Sequence, residues 1–369
     1  AVDVQHYTGH TYAGLEDGAH VIDGSGVVVN AESSENMTSI AATLAGGGDF
    51  AGAGAAGAHS ITTDTKAYAG SGDGEEGASL SVNGMVDIKA KDTTKLKTGA
   101  GSGGVGGTAG VGLTAAVEVV DKTVTASVGK NSRVMGTALS VSSENTSDSV
   151  TVAAGLGGGG SAGVAGAASE TFVTHTTKAY VDDGADVDIY VRPDEKDEKE
   201  HSGKALVKAD SSFTQGSGAG SVGAGGTVGV GLSNATVSLK ADTEAYAGNG
   251  AKVEAGDISF DASHETDITY ATIAGGVGGN AGVSGSIGVN VLDTKTKAYT
   301  GKEAELTAET GDIALSAVDT TKLHGGNGGL AIGVNGGGAG AAVAATVGKK
   351  ETEAYVGKNA KLDSKGKVT

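Results

Sequence analysis

Gly101-Ser102-Gly103-Gly104-Val105-Gly106 is the first stretch whose residue types suggest chemistry. It fits G-x-G-x-x-G, the loop whose backbone N–H groups cradle a dinucleotide pyrophosphate at a helix N-terminus. That chemistry needs a following helix and an acidic residue about 20 positions on. Here a strand pattern follows, and with 67 glycines in 369 residues such a match arises by chance. Gly159-Gly160-Ser161-Ala162-Gly163 fits the nucleophile elbow, which again requires a strand–turn–helix with His and acidic companions. Neither stretch is read as a site.

Asp182, Asp183, Asp186 and Asp188 form the one dense acidic patch, beside a charged segment carrying Glu195, Asp197, Glu198 and Glu200. Oxygen ligands at alternating positions suit Ca²⁺; a solvated, negatively charged loop is the plainer reading. Asp73, Glu75 and Glu76 are a smaller case of the same kind. Calcium is the one cofactor these residues raise. The eight histidines, His6, His10, His20, His59, His175, His201, His264 and His324, fall at unrelated points and read as solvated or stacked polar positions. His6 and His10 are close, but zinc needs further ligands, and with no cysteine there is no thiolate site and no disulfide framework. Carbohydrate-active sites combine clustered carboxylates with aromatic platforms. The charged segment adds only Tyr190 to its charges, so the chain reads as a non-enzyme.

The elements that would position these groups come in repeats. TKAY occurs at Thr65–Tyr68, Thr177–Tyr180 and Thr296–Tyr299, and TEAY at Thr243–Tyr246 and Thr352–Tyr355. With degenerate copies at Tyr12 and Ser127, the markers are separated by 56, 59, 53, 66, 53 and 56 residues. The long interval holds 191–204, a charged surface-loop insertion with the sole proline, Pro193. One glycine block follows at a fixed place in every period, for example GGVGGNAGVSGSIG at 275–288, a register no flexible linker would keep. Tyr68, Tyr180, Tyr246, Tyr299 and Tyr355 line up as a candidate docking stripe, with Glu195, Asp197 and Glu198 as a second contact.

Val283, Ile287, Val289 and Val291 share one parity, and Ser284, Ser286 and Asn290 the other; Val111, Leu113, Ala115, Val117 and Val119 repeat the pattern. A period of two with β-branched residues predicts strands with one buried face. The fold expected is all-β, a right-handed parallel β-helix over 1–369. Each period would divide into three coils of about 18–20 residues. That gives about 18–20 coils and a rod about 90 Å long. Glycine would keep opposite walls close or turn the corners, facing either lumen or solvent.

The glycine block, the G-V-x-x-x-V return and the T-K-A-Y-V-G-x-x-A-x-V marker resemble repeats of leukotoxin-type filamentous adhesins, which belong with the filamentous-haemagglutinin-like passengers of Gram-negative bacteria. The resemblance covers nearly the whole chain outside 191–204. It implies a right-handed parallel β-helix exported through an outer-membrane pore and displayed as an extracellular fibre. It carries over no catalytic residue. The sequence starts and stops in mid-repeat, and a longer polypeptide is expected around it. The net charge of −18 disfavours nucleic acid and anionic membrane, and no apolar run approaches the about 20 residues of a membrane span. Partners expected are other copies in a fibre or bundle, host or bacterial cell surfaces, or glycans. The alternatives are a polysaccharide-active β-helix, or an ice-binding one built on ITTDTKAY (61–68) and HTTKAY (175–180).

Overall fold

A computed structural model describes residues 1–72, 74, 76–191 and 200–369. Asp73, Glu75, Glu195, Asp197 and Glu198 lie outside the described residues. Twenty strands run in order from β1 (Val2–Leu15), β2 (His20–Gly24), β3 (Val27–Gly47), β4 (Phe50–Ala69) and β5 (Ser79–Val82) to β6 (Met85–Gly106), β7 (Ala109–Val128) and β8 (Arg133–Gly136). They continue as β9 (Ala138–Gly159), β10 (Ala162–Val181), β11 (Asp186–Ile189), β12 (Lys204–Gly225), β13 (Val228–Ala247) and β14 (Lys252–Ala255). The last are β15 (Asp257–Gly278), β16 (Ala281–Thr300), β17 (Glu305–Ala308), β18 (Ile313–Gly333), β19 (Gly337–Tyr355) and β20 (Lys361–Ser364).

Three parallel sheets result. β3, β6, β9, β12, β15 and β18 form one long-stranded sheet, and β1, β4, β7, β10, β13, β16 and β19 a second. The short strands β2, β5, β8, β11, β14, β17 and β20 form the third. Within each coil the chain runs out along the first sheet, reverses at a glycine tip, returns along the second and crosses a short strand. Parallel pairing joins each strand to its counterpart one period on, as a β-solenoid requires.

One period is therefore one coil, which overturns the expected division into three. Strands of 20 to 22 residues do not turn after five, because the glycines inside them are extended. Among the described glycines, positive φ is confined to Gly18, Gly70, Gly72, Gly184 and Gly250, all in corners beside the short sheet. Asn131, Glu303 and Asn359 take the same left-handed conformation in other coils. Seven rungs at about 4.8 Å give a body about 34 Å tall rather than a 90 Å rod, with strands about 65–70 Å long.

The interior tapers. Where three sheets meet, Leu80, Val86, Ile88, Val134, Ile189, Phe260 and Leu306 form the main core. Further out Ile61, Leu96, Val120, Phe213 and Ile268 fill a narrower gap between two sheets. Beyond them only alanines fit: Ala100, Ala116, Ala153, Ala167, Ala219 and Ala235. At the tip the sheets touch backbone to backbone. A Cβ on Gly104, Gly157, Gly223 or Gly276 would collide with the carbonyl oxygen of Val111, Val164, Val230 or Val283 opposite. The seam glycines thus face the lumen.

This thinness inverts the parity rule. Val283, Ile287 and Val291 are 39%, 48% and 40% exposed, whereas Ser284, Ser286 and Asn290 are buried. The valine parity, expected to face the core, points outward because a seam at backbone contact has no room for branched side chains. Small and polar residues take the inside.

The first marker also shifts. Tyr12 pairs with Lys66, and Gly14 pairs with Tyr68. Register follows the inward Thr-x-Ala, with Thr11 beside Thr65 and Ala13 beside Ala67, rather than the outward tyrosine.

Candidate functional site

Outward residues of corresponding rungs stand in columns along the coil axis. Tyr180, Tyr246, Tyr299 and Tyr355 stack with ring centroids 4.8, 4.8 and 5.0 Å apart and planes within 7°. Rung spacing alone sets this offset parallel stacking. Burial among their neighbours raises the phenol pKa of all four. Tyr68 stands in the same column, with Ser127 between it and Tyr180. There the missing ring leaves a cavity of about 400 Å³ lined by Tyr12, Glu16, Lys66, Tyr68, Ser127 and Tyr180. Tyr68 donates to Glu16 Oε1 at 2.5 Å, and Tyr12 donates to Asp64 Oδ2 at 2.6 Å.

Charge ladders flank the stack. Two residues before it, Lys178 meets Glu244 at 3.1 Å and Lys297 meets Glu353 at 3.1 Å. On the short sheet Arg133, Asp186, Lys252, Glu305 and Lys361 alternate in sign rung by rung, with contacts of 3.7, 3.6 and 2.7 Å. Opposite charges directly across a ladder stabilise it modestly. The threonines of the markers do not share this surface: Thr65, Thr177, Thr243 and Thr296 are buried. In the stretches 61–68 and 175–180 only Thr62 and Thr176 lie on the outer parity, Thr62 exposed and Thr176 half-buried.

The four aspartates proposed for calcium do not converge. Asp186 belongs to the short-sheet ladder beside Arg133. Asp183 accepts from the Asn249 backbone N–H at 2.5 Å and from its side-chain amide at 3.2 Å. Burial raises the Asp182 pKa, and Lys130 nearby opposes the rise. Asp188 joins His201 and Glu254, whose ligand-type atoms lie within 4.8 Å of one another. His201 Nε2 is 2.8 Å from Asp188 Oδ1 and 3.5 Å from Glu254 Oε1. Asp188 and Glu254 are like charges on neighbouring rungs, and His201, on the returning arm of the insertion, bridges them. The neck of that insertion is closed by reciprocal backbone bonds between Val191 and Glu200, at 2.8 and 3.0 Å.

A second group of titratable residues went unnoticed in the sequence because it lies inside. Lys122 Nζ sits 2.7 Å from Asp92 Oδ1, both fully buried. Lys122 also donates to the backbone carbonyl of Thr146 at 2.9 Å. Thr65 donates to Asp92 at 3.1 Å, and Ser33 and Thr94 donate to Glu35 at 2.6 and 2.9 Å. Four rungs away, Lys350 and Asp319 occupy the same two columns and repeat the inter-sheet ion pair at 2.8 Å. Burial lowers the Lys122 pKa against the pull of Asp92, and raises that of Glu35. Three histidines, His59, His175 and His264, are interior as well, as stacked polar positions rather than solvated ones. Burial lowers the pKa of His59, His175 and His264; for His175, Lys122 and His264 push further the same way. The legible signal was parity: Asp92, Lys122 and His175 share the phase of inward residues such as Ala90, Val124 and Val173.

Charge is divided along the strands. No Asp, Glu, Lys or Arg occurs in 98–117, 149–169, 215–239, 268–292 or 323–348. These five segments are the tips of successive coils, and in the first coil only Asp49 breaks the rule. No helix among the described residues is long and apolar enough to cross a membrane. The two chemical motifs are strand and tip: Gly101–Gly106 ends β6, and Ser161 sits in the turn between β9 and β10.

Comparison with family models, with curated proteins and with solved structures finds no match to the chain.

Proposed function

We propose that this chain is a structural and adhesive segment of a secreted bacterial surface fibre, of the filamentous-adhesin kind its repeats resemble, and not an enzyme. The observation that carries the reading is the periodic outer surface. Its aromatic and charged side chains recur rung after rung as ladders, a geometry that serves extended contact better than a single reacting centre. Partners would be host or bacterial cell surfaces, glycans, or further copies on the outside of a Gram-negative cell. The tyrosine stack, flanked by Lys178, Glu244 and Lys297, offers flat ring edges with charges alongside, suited to sugar or protein surfaces.

The test is adhesion of the purified chain, immobilised on beads, to cultured epithelial cells, bacterial cells and a glycan array. Binding to at least one of these is expected, with loss in a Tyr246→Ser, Tyr299→Ser double variant that melts like the parent. Absence of binding to every surface would reject the adhesive role. Release of reducing ends from array polysaccharides would favour the polysaccharide-active alternative instead.

A further inference from the structure

Apart from Asp49, the glycine half of the body carries no charged side chain, and its branched side chains lie on the outside. On the outer face of the second sheet, Gly54, Leu113, Gly166, Leu232, Gly285 and Ala341 stand in one column. Leu113 and Leu232 are 54% and 53% exposed. Two rungs apart, they make ridges about 9.6 Å from each other. A groove of about 470 Å³ runs beside them, lined by Leu113, Gly166, Ala168, Leu232, Ile287 and Val343. Large exposed apolar patches on a water-soluble surface mark contact sites.

We infer that this face is an interface on which a second copy of the same chain docks. Charge selects the occupant. Two copies of a chain with net charge −18 repel through the charged half. The glycine half is where they can meet with no like charge opposed. Area agrees: six rungs by about ten residues per strand present on the order of 1,000 Å², against about 800 Å² per partner in a standard stable interface. Symmetry agrees as well. A two-fold axis along the rung direction reverses the strands, keeps the rung order and lays all six uncharged rungs of the copy on this face, a reciprocal contact as an isologous interface demands. Sheets packed in this way sit about 10 Å apart, and the charged halves project to opposite sides. This deepens the proposed function by giving a face to the further copies named among its partners, and it rests on the apolar groove rather than on the tyrosine stack.

Sedimentation velocity over a concentration series, at low and high NaCl, tests the inference. Dimers or larger species are expected, strengthened by salt because screening removes repulsion while apolar contact persists. Leu113→Lys with Leu232→Lys should weaken association by about tenfold or more, with unchanged circular dichroism and melting. If that variant misfolds, Ile287→Lys in the same groove serves, with the same expected loss. Lys178→Gln, in the charged half, should leave association as it was. A wild-type chain that stays monomeric at the highest soluble concentration overturns the inference. So does dissociation by salt, unchanged association in the groove variants, or capture by neutral liposomes without self-association. Adhesion to cells is read separately, so either idea can fail alone.

Discussion

The two ends of each coil are built from the same strands and the same ladders, yet they obey opposite packing rules. At the broad end three sheets enclose Val86, Ile88, Leu80 and Val134, and large apolar side chains point in. At the thin end two sheets touch through Gly104, Gly157, Gly223 and Gly276, and the branched side chains point out. The distance between sheets decides which parity is interior. Hydrophobic burial dominates where a side chain fits, and backbone contact dominates where none does. Between them lies a polar band in which Asp92 and Lys122 hold the sheets together by charge.

That contrast can be broken at each station. The largest effect is expected in the polar band. Asp92→Ala leaves Lys122 buried without its carboxylate and should cost about 3–5 kcal/mol, read as a shift in the denaturant midpoint. Replacing both, Asp92→Leu with Lys122→Met, should recover most of that loss, since an apolar pair needs no desolvated charge. A double variant as weak as the single one would show that the band does more than neutralise charge.

Volume changes should act with opposite sense at the two ends. Ile88→Ala opens a cavity and should cost about 2–5 kcal/mol. Gly276→Val adds volume where Val283 already touches and should cost about 1–3 kcal/mol or more. Denaturant unfolding of both variants checks the pair. If Gly276→Val is as stable as the parent, the seam is not at backbone contact.

Acid should probe the interior histidines. The folded pKa values of His59, His175 and His264 lie below their ordinary value, so the folded state resists their protonation. Their contribution is fully present above about pH 6.5 and is lost as pH falls below it, by at most about 1.4 kcal/mol per pH unit for each group. His175 faces Ser147, Ser211, Phe213, Lys122 and His264. His175→Gln keeps a polar side chain there without a titrating ring, and should flatten the fall in melting temperature between about pH 6.5 and about pH 5. An unchanged slope would mean that His175 does not stay neutral.

The smallest effect is expected on the surface. Ser127→Tyr fills the gap between Tyr68 and Tyr180 and should stabilise by about 0.5–1 kcal/mol, visible as a higher melting temperature. A loss of stability would indicate that the gap is filled by neighbouring side chains.

Strands, corner turns and the repeat register from Tyr68 onward are legible in the sequence, whereas the first marker, Tyr12, lies two residues out of register. Alternation announced the strands, and Ser127 was placed correctly in the tyrosine column. Two things were hidden for a physical reason. The rule that large apolar residues face in holds only where the interior is thick enough, and it fails for the valine parity in 283–291. The contrary sign was present: Gly282, Ser284, Ser286 and Gly288 share one parity, which is the signature of a seam. Coil length is hidden because a glycine inside a long strand looks like a corner in sequence, whereas only those beside the short sheet have positive φ. The calcium reading of Asp182, Asp183, Asp186 and Asp188 relied on spacing along one strand. Cross-rung pairing assigns Asp186 to Arg133 and brings Asp188 to His201 and Glu254.

The central claim is that one period makes one coil, and a pair of spin labels measures it directly. Lys66 and Glu353 occupy one outward column, five rungs apart through Thr125, Lys178, Glu244 and Lys297. Labels on cysteines at 66 and 353, read by pulsed electron–electron resonance, should lie about 24 Å apart, broadened by the label arms. A separation of about 72 Å, the value for three coils per period, would contradict the fold on which the rest depends.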